Sequence, residues 1–266
     1  MSQKKTLCQV SPFFSQQLSN ADMTAAPVFL SIIFPAHNEE ERISSTLVKT
    51  IAYLKRQSFT SEIIVVENGS SDNSYLLAKS FLPKFPYMRV FHEDQRGKGL
   101  AVKRGMLEAT GQYRFVCDVD LSMPVEEVSR FIPPQSEADI VIASREAFGA
   151  IRYHEPQYRH FIGRIFNLIV RWTTLPGLHD SQCGFKCFSA QAARELFPMQ
   201  SIKGWTFDVE ILYIARKYGY TIQELAIPWY HDPKSKVKVI RDSFQMLVDL
   251  FRIRWNDARG RYAKKI

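Results

Sequence analysis

Two carboxylates one residue apart, Asp118-Val119-Asp120, follow the apolar run Phe115-Val116-Cys117 and are the residues in this chain best placed to do chemistry. The apolar run reads as a buried parallel strand. The carboxylates then fall at its C-terminal end, the edge where open α/β sheets bind ligands. Side chains alternate across a strand, so Asp118 and Asp120 share one face. Two hard oxygen donors suit Mg²⁺ or Mn²⁺, which keep the rest of their shell for water and phosphate. An Asp-x-Asp pair also arises as a solvated turn, so its meaning depends on what lies around it.

Three stretches upstream share that edge. The first apolar run ends in Pro35-Ala36-His37-Asn38-Glu39-Glu40, where backbone groups freed at Pro35 and Ala36, with Glu39 beside them, can hydrogen-bond a planar base. The second ends in Glu67-Asn68-Gly69-Ser70-Ser71-Asp72, a glycine turn before a serine cap, with Glu67 and Asn68 placed to bind a nucleoside. Arg96-Gly97-Lys98-Gly99 precedes a helix whose N-terminus attracts phosphate and whose glycines allow close approach. Packing and helix entry alone would explain each stretch taken singly. Together they describe a nucleoside-diphosphate site with a divalent metal. The P-loop spacing is missing. No Gly-x-Gly-x-x-Gly follows the first strand, which argues against a nicotinamide enzyme. His37-Asn38-Glu39 matches the His-x-Glu of zinc deaminases, but their Pro-Cys-x-x-Cys partner is missing.

The elements that must position these groups follow from periodicity. Residues 28–34 form a strand stopped by Pro35, and 39–57 a helix with Ile43, Leu47, Ile51 and Leu54 at helical spacing. Strands over 62–67, 87–92, 113–118 and 139–143 alternate with helices over about 71–82, 99–109 and 124–131. Such alternation predicts an α/β fold, a mostly parallel Rossmann-like sheet with helices on both faces. Beyond it, 157–172 and 239–255 read as amphipathic helices with basic faces, 190–196 and 207–218 as helices, and 221–227 as a strand. The chain divides into a mobile N-terminal tail (1–27), a catalytic domain (28–230) and a basic C-terminal helix and tail (231–266).

Composition narrows the setting. The chain is 45% hydrophobic and 23% charged, ordinary for a globular protein, with a net charge of +8. From residue 231 onward ten Lys and Arg stand against four Asp, a net of +6. Such a segment suits a phosphorylated substrate or an anionic membrane surface. Nucleic acid is a weaker partner, because few aromatics interleave the charges and no recognition motif is present. No apolar run reaches the roughly 20 residues of a membrane span, and the first 27 residues lack a signal-peptide core, which predicts a cytoplasmic chain. The four cysteines suggest neither disulfides nor a zinc site.

The ordered series of Pro35-Ala36-His37-Asn38-Glu39-Glu40, Glu67-Asn68-Gly69-Ser70-Ser71-Asp72, Gly97-Lys98-Gly99 and Asp118-Val119-Asp120 resembles the inverting GT-A glycosyltransferases of family 2. Asp180-Ser181-Gln182-Cys183-Gly184-Phe185-Lys186 and Gly204-Trp205-Thr206-Phe207-Asp208-Val209-Glu210 sharpen this toward the polyprenyl-phosphate glycosyltransferases, and within them toward the dolichyl-phosphate β-glucosyltransferase group. The resemblance covers residues 28–255. It implies a nucleotide-sugar donor, most simply UDP-glucose with GDP-mannose as the alternative, and a polyprenyl-phosphate acceptor. It implies that Pro35, Ala36 and Glu39 contact the base. Glu67 and Asn68 stand where the family usually has Asp, Lys98 lies near the diphosphate, and Asp118 and Asp120 hold the metal. Arg145 would meet the sugar or acceptor phosphate. Asp180, Gln182 and Lys186 would line the acceptor side, Asp180 being the candidate for any carboxylate that assists attack. Asp208 and Glu210 would hold the sugar or orient basic groups, and Lys236 and Arg241 would close over the phosphates. Many relatives carry transmembrane helices; here the two amphipathic helices are the candidates for peripheral contact with the cytosolic membrane face. A non-catalytic nucleotide-sugar or lipid-binding module is the alternative of a different class, favoured only by Glu67 and Asn68.

Overall fold

The computed structural model describes residues 26–234 and 239–263. In chain order the elements are β1 (Leu30–Ala36), α1 (Ile43–Leu54), β2 (Ser61–Asn68), α2 (Ser74–Lys79), β3 (Met88–Glu93), α3 (Lys98–Glu108), β4 (Tyr113–Val116), a 3₁₀ turn (Val125–Phe131), β5 (Ile140–Ser144), β6 (Ile151–Tyr153), α4 (Gln157–Thr173), β7 (Lys186–Ser189), α5 (Ala190–Leu196), α6 (Phe207–Lys217), β8 (Ile222–Ala226), β9 (Pro228–Tyr230) and α7 (Val239–Ala258). Seven strands form a sheet in the order β3-β2-β1-β4-β7-β5-β8, parallel except for β7, which runs antiparallel to both neighbours. β6 and β9 pair in parallel as a separate two-stranded sheet.

The continuous apolar strands are covered on both faces. Along β1, Ile32 and Phe34 pack with Leu47, Phe115 and Phe131 on one side, while Ile33 packs with Val66, Val102 and Met106 on the other. Burying each such side chain contributes about 2 kcal/mol. The expected mostly parallel sheet between helices is the observed one.

Several boundaries differ for identifiable reasons. β1 runs through Pro35 to Ala36 rather than stopping before the proline. The Ile33 carbonyl accepts from Cys117 N–H on the β4 side, so Pro35, two residues on, faces the same side beyond the last paired residue of β4. Its missing N–H therefore removes no ladder bond. α1 begins at Ile43, not Glu39: residues 39–42 form a turn in which the Arg42 and Ile43 N–H groups both donate to the Glu39 carbonyl, and the N–H groups of Asn38, Glu39 and Glu40 are capped by the side chains of Ser70, Ser74 and Asp72. β4 ends at Val116, so Asp118 and Asp120 lie just past the strand rather than on it. The alternation persists nonetheless: Val119 is buried in the core while both carboxylates face a cavity. β7 and the β6–β9 pair had no counterpart in the sequence reading. No described helix is long and apolar enough to cross a membrane.

Candidate active site

The strand ends of β1 and β2 are laced into one rigid rim. Ala36 and Glu67 are register partners. Beyond them the Asn38 N–H donates to Ser70 Oγ (2.9 Å), the Ser71 N–H to Asn38 Oδ1 (2.8 Å), the Glu39 N–H to Ser74 Oγ (2.6 Å) and the Asn73 N–H to Glu40 Oε2 (3.1 Å). His37 Nδ1 meets the Asn68 carbonyl at 2.9 Å. Pro35, Ala36, Glu39, Glu67 and Asn68 are thus brought to one edge, as the sequence reading requires. Their side chains are not all available to a ligand. Glu67 is buried, one oxygen accepting from the Ser70 N–H and the other 2.5 Å from His92 Nδ1. The Glu39 carboxylate pairs with Arg42 at 2.7 Å, and Arg42 also pairs with Asp232. The expectation that Glu67 binds the nucleoside is therefore revised: its carboxylate builds the turn that shapes the rim.

Next to the rim lies a cavity of about 260 Å³. Its lining holds two clusters, Lys98, Asp118, Asp120 and Asp208 with Trp205 beside Lys98, and Arg145 and Arg152, which share the Trp229 ring; Arg159, Gln182 and His231 line it as well. Lys98 heads α3 and reaches Asp118 Oδ1 at 2.6 Å, its ammonium 5.4 Å from the Trp205 ring. Burial opposes its charge, but Asp118, Asp208 and Asp120 outweigh that and raise its pKa. The Asp120 carboxyl is raised by burial and then by the charge of Asp118. Burial and the neighbouring Asp118 both oppose the charge of Asp120, which makes this a place where a cation is welcome. A Cβ at Gly184 would sit 1.8 Å from Asp118 Oδ2, so only glycine leaves that oxygen its space. Among the described residues no three His, Cys, Asp or Glu side chains converge as a metal site. The donor set is thus two carboxylates, which fits a hard divalent ion whose remaining ligands are water and phosphate.

Three sequence-derived roles are corrected here. Asp180 is fully buried and forms a two-pronged pair with Arg145, Nε to Oδ2 at 2.6 Å and Nη2 to Oδ1 at 2.9 Å. It also accepts from the N–H groups of Arg145 and Gln182. Burial alone would raise its pKa, but Arg145 outweighs that and lowers it to about 2. It is no base: it aims Arg145, and the Glu224 carboxylate holds the Asp180 N–H in turn at 2.8 Å. Lys186 is buried behind the cavity wall, 2.9 Å from Asp208 and bonded to the Cys183 carbonyl, so it balances Asp208 rather than touching a ligand. Glu210 does not line the cavity and accepts from a network of neutral donors, so of its two expected roles, holding the sugar and orienting basic groups, only the first is corrected. Lys236 lies outside the described residues, and Arg241 falls in the first turn of α7 with its side chain outside the description. The sequence reading missed Arg152, Arg159, His231, Trp205 and Trp229. Arg145 and Arg152 both lie over the Trp229 ring, at 5.4 and 5.9 Å. Their meeting depends on the β6–β9 pairing, which no local pattern announces.

Comparison with known proteins agrees with this geometry. The family model for glycosyl transferase family 2 matches residues 31–197. A dolichyl-phosphate β-glucosyltransferase of Trichomonas vaginalis is 34% identical over 239 residues, spanning 85% of this chain and 71% of that protein. The dolichyl-phosphate β-glucosyltransferase of Dictyostelium discoideum is 34% identical over 250 residues, 88% of this chain and 76% of its own length. The human enzyme of that name is 31% identical over 241 residues, 85% and 74%. Among solved structures, glucosyl-3-phosphoglycerate synthase from Mycobacterium tuberculosis, determined with Mn²⁺, UDP-glucose and phosphoglyceric acid, superposes with a TM-score of 0.60 at 18% identity, covering 86% of this chain and 80% of that one, and so shares the fold. The chain belongs to glycosyl transferase family 2 and is a glycosyltransferase.

Proposed function

We propose that this glycosyltransferase moves glucose from UDP-glucose to a polyprenyl phosphate of the dolichyl type, with inversion, at a membrane surface. The observation that carries the reading is that one cavity is lined both by the carboxylates Asp118 and Asp120 and by the arginines Arg145, Arg152 and Arg159. The first suits a metal-bound nucleoside diphosphate and the second a phosphate nucleophile. The names of the relatives and the UDP-glucose and Mn²⁺ of the structural neighbour point the same way.

Asp118 and Asp120 would hold the divalent ion, which when bound supplies neutralising charge to the diphosphate. Lys98, at a helix N-terminus, donates to the departing diphosphate as its negative charge grows, and preorganised charge of this kind is often the largest catalytic contribution. The arginines seat the acceptor. Its phosphate oxygen forms a bond to the anomeric carbon while the bond to the β-phosphate oxygen breaks, and the electron pair leaves with UDP. A phosphate monoester is already ionised at pH 7, so no general base is needed, consistent with Asp180 being committed to Arg145. What the protein supplies is the alignment of two anions that repel each other.

The two amphipathic helices that would meet the membrane also reach the cavity: Ile162, Gly163 and Phe166 of α4 and Ser243 and Met246 of α7 line it. Both helices turn apolar stripes outward: Tyr158, Phe161, Ile165, Leu168 and Trp172 on α4, and Phe244, Val248, Phe251 and Trp255 on α7, with Trp172 89% and Phe251 77% exposed. Arg164, Arg171, Arg252 and Arg254 are exposed on the same helices. Aromatics at the acyl boundary with arginines at headgroup level are the pattern of an interfacial helix.

The test is transfer of labelled glucose from UDP-glucose with Mn²⁺ to dolichyl phosphate in anionic vesicles, compared with GDP-mannose and with 3-phosphoglycerate as a soluble acceptor. Glucosyl lipid formation that falls when Phe161 and Phe251 are both changed to Ser supports the reading. Transfer only from GDP-mannose, or only to the soluble acceptor, overturns it.

A further inference from the structure

Glu210 on α6 is fully buried and every group that donates to it is neutral. Its Oε2 accepts from the N–H groups of Ser201 (2.9 Å) and Ile202 (2.8 Å), and its Oε1 from Ser201 Oγ (2.5 Å) and the Tyr262 hydroxyl (2.6 Å). Asn256 of α7 joins from the other side, its amide donating to Ser201 Oγ at 3.1 Å and to the Tyr262 hydroxyl at 3.2 Å. α6, α7 and the turn after it therefore converge on one short segment, residues 201–205.

The other side of that segment is pressed against the turn that presents Lys98. The Leu100 N–H donates to the Lys203 carbonyl at 3.3 Å. The Gln200 amide bridges the carbonyls of Gly99 and Ile202 at 2.8 and 2.9 Å. A Cβ at Gly97 would stand 2.5 Å from the Lys203 carbonyl oxygen, and one at Gly99 2.7 Å from that of Ile202. There is no slack between the two backbones. Trp205, at the end of the segment, stands over the Lys98 ammonium.

We propose that Glu210 is a positioning residue for donor binding: acting through residues 201–205, it sets where Lys98 stands, and Tyr262 extends that control to the end of the chain's last helix. The inference rests on the reading of Lys98 as the diphosphate-binding lysine. A carboxylate is required because four donors converge on it and it offers only acceptors; a glutamine would turn an NH₂ toward two of them. Fully satisfied buried networks of this kind fix one arrangement of the backbone, and a half-satisfied one loosens it.

The experiment compares Glu210→Gln and Tyr262→Phe with Tyr213→Phe. Tyr213 is a control on the same α6–α7 seam, its hydroxyl donating to Asp257 at 2.5 Å instead. Two quantities are measured: the Kd for UDP in the presence of Mn²⁺ by calorimetry, and amide hydrogen exchange over residues 97–101 in the ligand-free protein. Loss of buried hydrogen bonds at the support predicts UDP binding weaker by about tenfold in Glu210→Gln and about threefold in Tyr262→Phe. Exchange over 97–101 should speed up in both. Tyr213→Phe should change neither, and the KM for the lipid acceptor should hold in all three. Unchanged exchange over 97–101 in Tyr262→Phe, or an equal response in Tyr213→Phe, overturns the proposal. Should the wild-type chain bind no UDP, the reading of Lys98 falls, and the exchange measurement still decides whether Glu210 controls the turn. Tyr262→Phe keeps the test alive if Glu210→Gln fails to fold.

Discussion

The two ends of the cavity are built by different means. The loops after β1 and β2 are laced mainly by hydrogen bonds between side chains and backbone N–H groups, with the Glu39–Arg42 and Glu67–His92 pairs among them. Beside them Lys98 pairs with Asp118, while burial and Asp118 oppose the charge of Asp120. The arginine end is held by ion pairs: Arg145 with Asp180 and Arg152 with Glu146 and Glu155. The difference teaches that a carboxylate's type does not reveal its task. At the first end acidic groups are kept at a cost to the fold because a ligand needs them. At the second they are consumed in holding cations still.

The sharpest way to break this comparison is to remove one carboxylate from each end. Asp120→Ala should lower glucosyl transfer by about three orders of magnitude, the loss expected when the charge opposing a departing diphosphate is removed. Its melting temperature should hold or rise, because burial and Asp118 both work against the Asp120 charge. Asp180→Asn should do the reverse in kind. It strands the buried Arg145 guanidinium, and breaking a buried pair on one side costs about 3–5 kcal/mol, so thermal unfolding should move down by many degrees. Activity and calorimetry on both variants check this. An Asp120→Ala protein that unfolds as early as Asp180→Asn would erase the distinction.

Lys186 and Asp208 sharpen it further. Burial raises the Asp208 carboxyl even with Lys186 at 2.9 Å, so the pair is a poor source of stability. Lys186→Met alone should destabilise by about 3 kcal/mol by leaving Asp208 unopposed. Lys186→Met with Asp208→Leu should recover most of that loss in a denaturant-unfolding cycle while removing a cavity carboxylate. A double variant no more stable than Lys186→Met would mean that the pair contributes more than its desolvation takes away.

The same difference explains what could be seen in advance. The rim was legible because each of its parts is a strand end followed within six residues by its turn, so Pro35, Glu67, Lys98 and Asp118 announce themselves locally. The parallel sheet followed from the alternation of the same stretches. Of the arginine end only Arg145 and Gln182 were anticipated, through the family resemblance. Arg145 precedes Asp180 by 35 residues, Arg152 meets Trp229 through a three-residue strand, and β7 enters the sheet antiparallel between β4 and β5. Residue types misled for the same reason: Asp180 behind Arg145, Lys186 behind Asp208 and Glu210 behind the Lys98 turn are all ionisable, yet their partners, found only in three dimensions, turn each into a support.

The smallest expected effect sets the two ends apart by pH. Asp180 has its folded pKa lowered to about 2 by Arg145 against the opposing effect of burial. A depressed carboxyl contributes stability that is present above its unfolded value near 4 and is lost as the pH falls through the folded value, so the arginine end should weaken between about pH 4 and pH 2. His92 behaves in the opposite sense. Its hydrogen bond to Glu67, helped by the charge of Glu67 and of Asp94, raises its pKa above 6.5. That contribution is complete below the unfolded value and is lost as the pH rises through the folded one. The imidazole is 46% exposed, so solvent screening keeps the effect small. Carbon-bound ring proton shifts followed by NMR should place His92 above the unperturbed histidine value in the wild-type chain and lower it toward that value in Glu67→Gln, Asp94 remaining in place. Exchange at the Ser70 amide, which Glu67 also holds, should quicken as His92 loses its proton. A His92 that titrates at the ordinary value would detach the rim from this ion pair and leave its rigidity to the neutral hydrogen bonds alone.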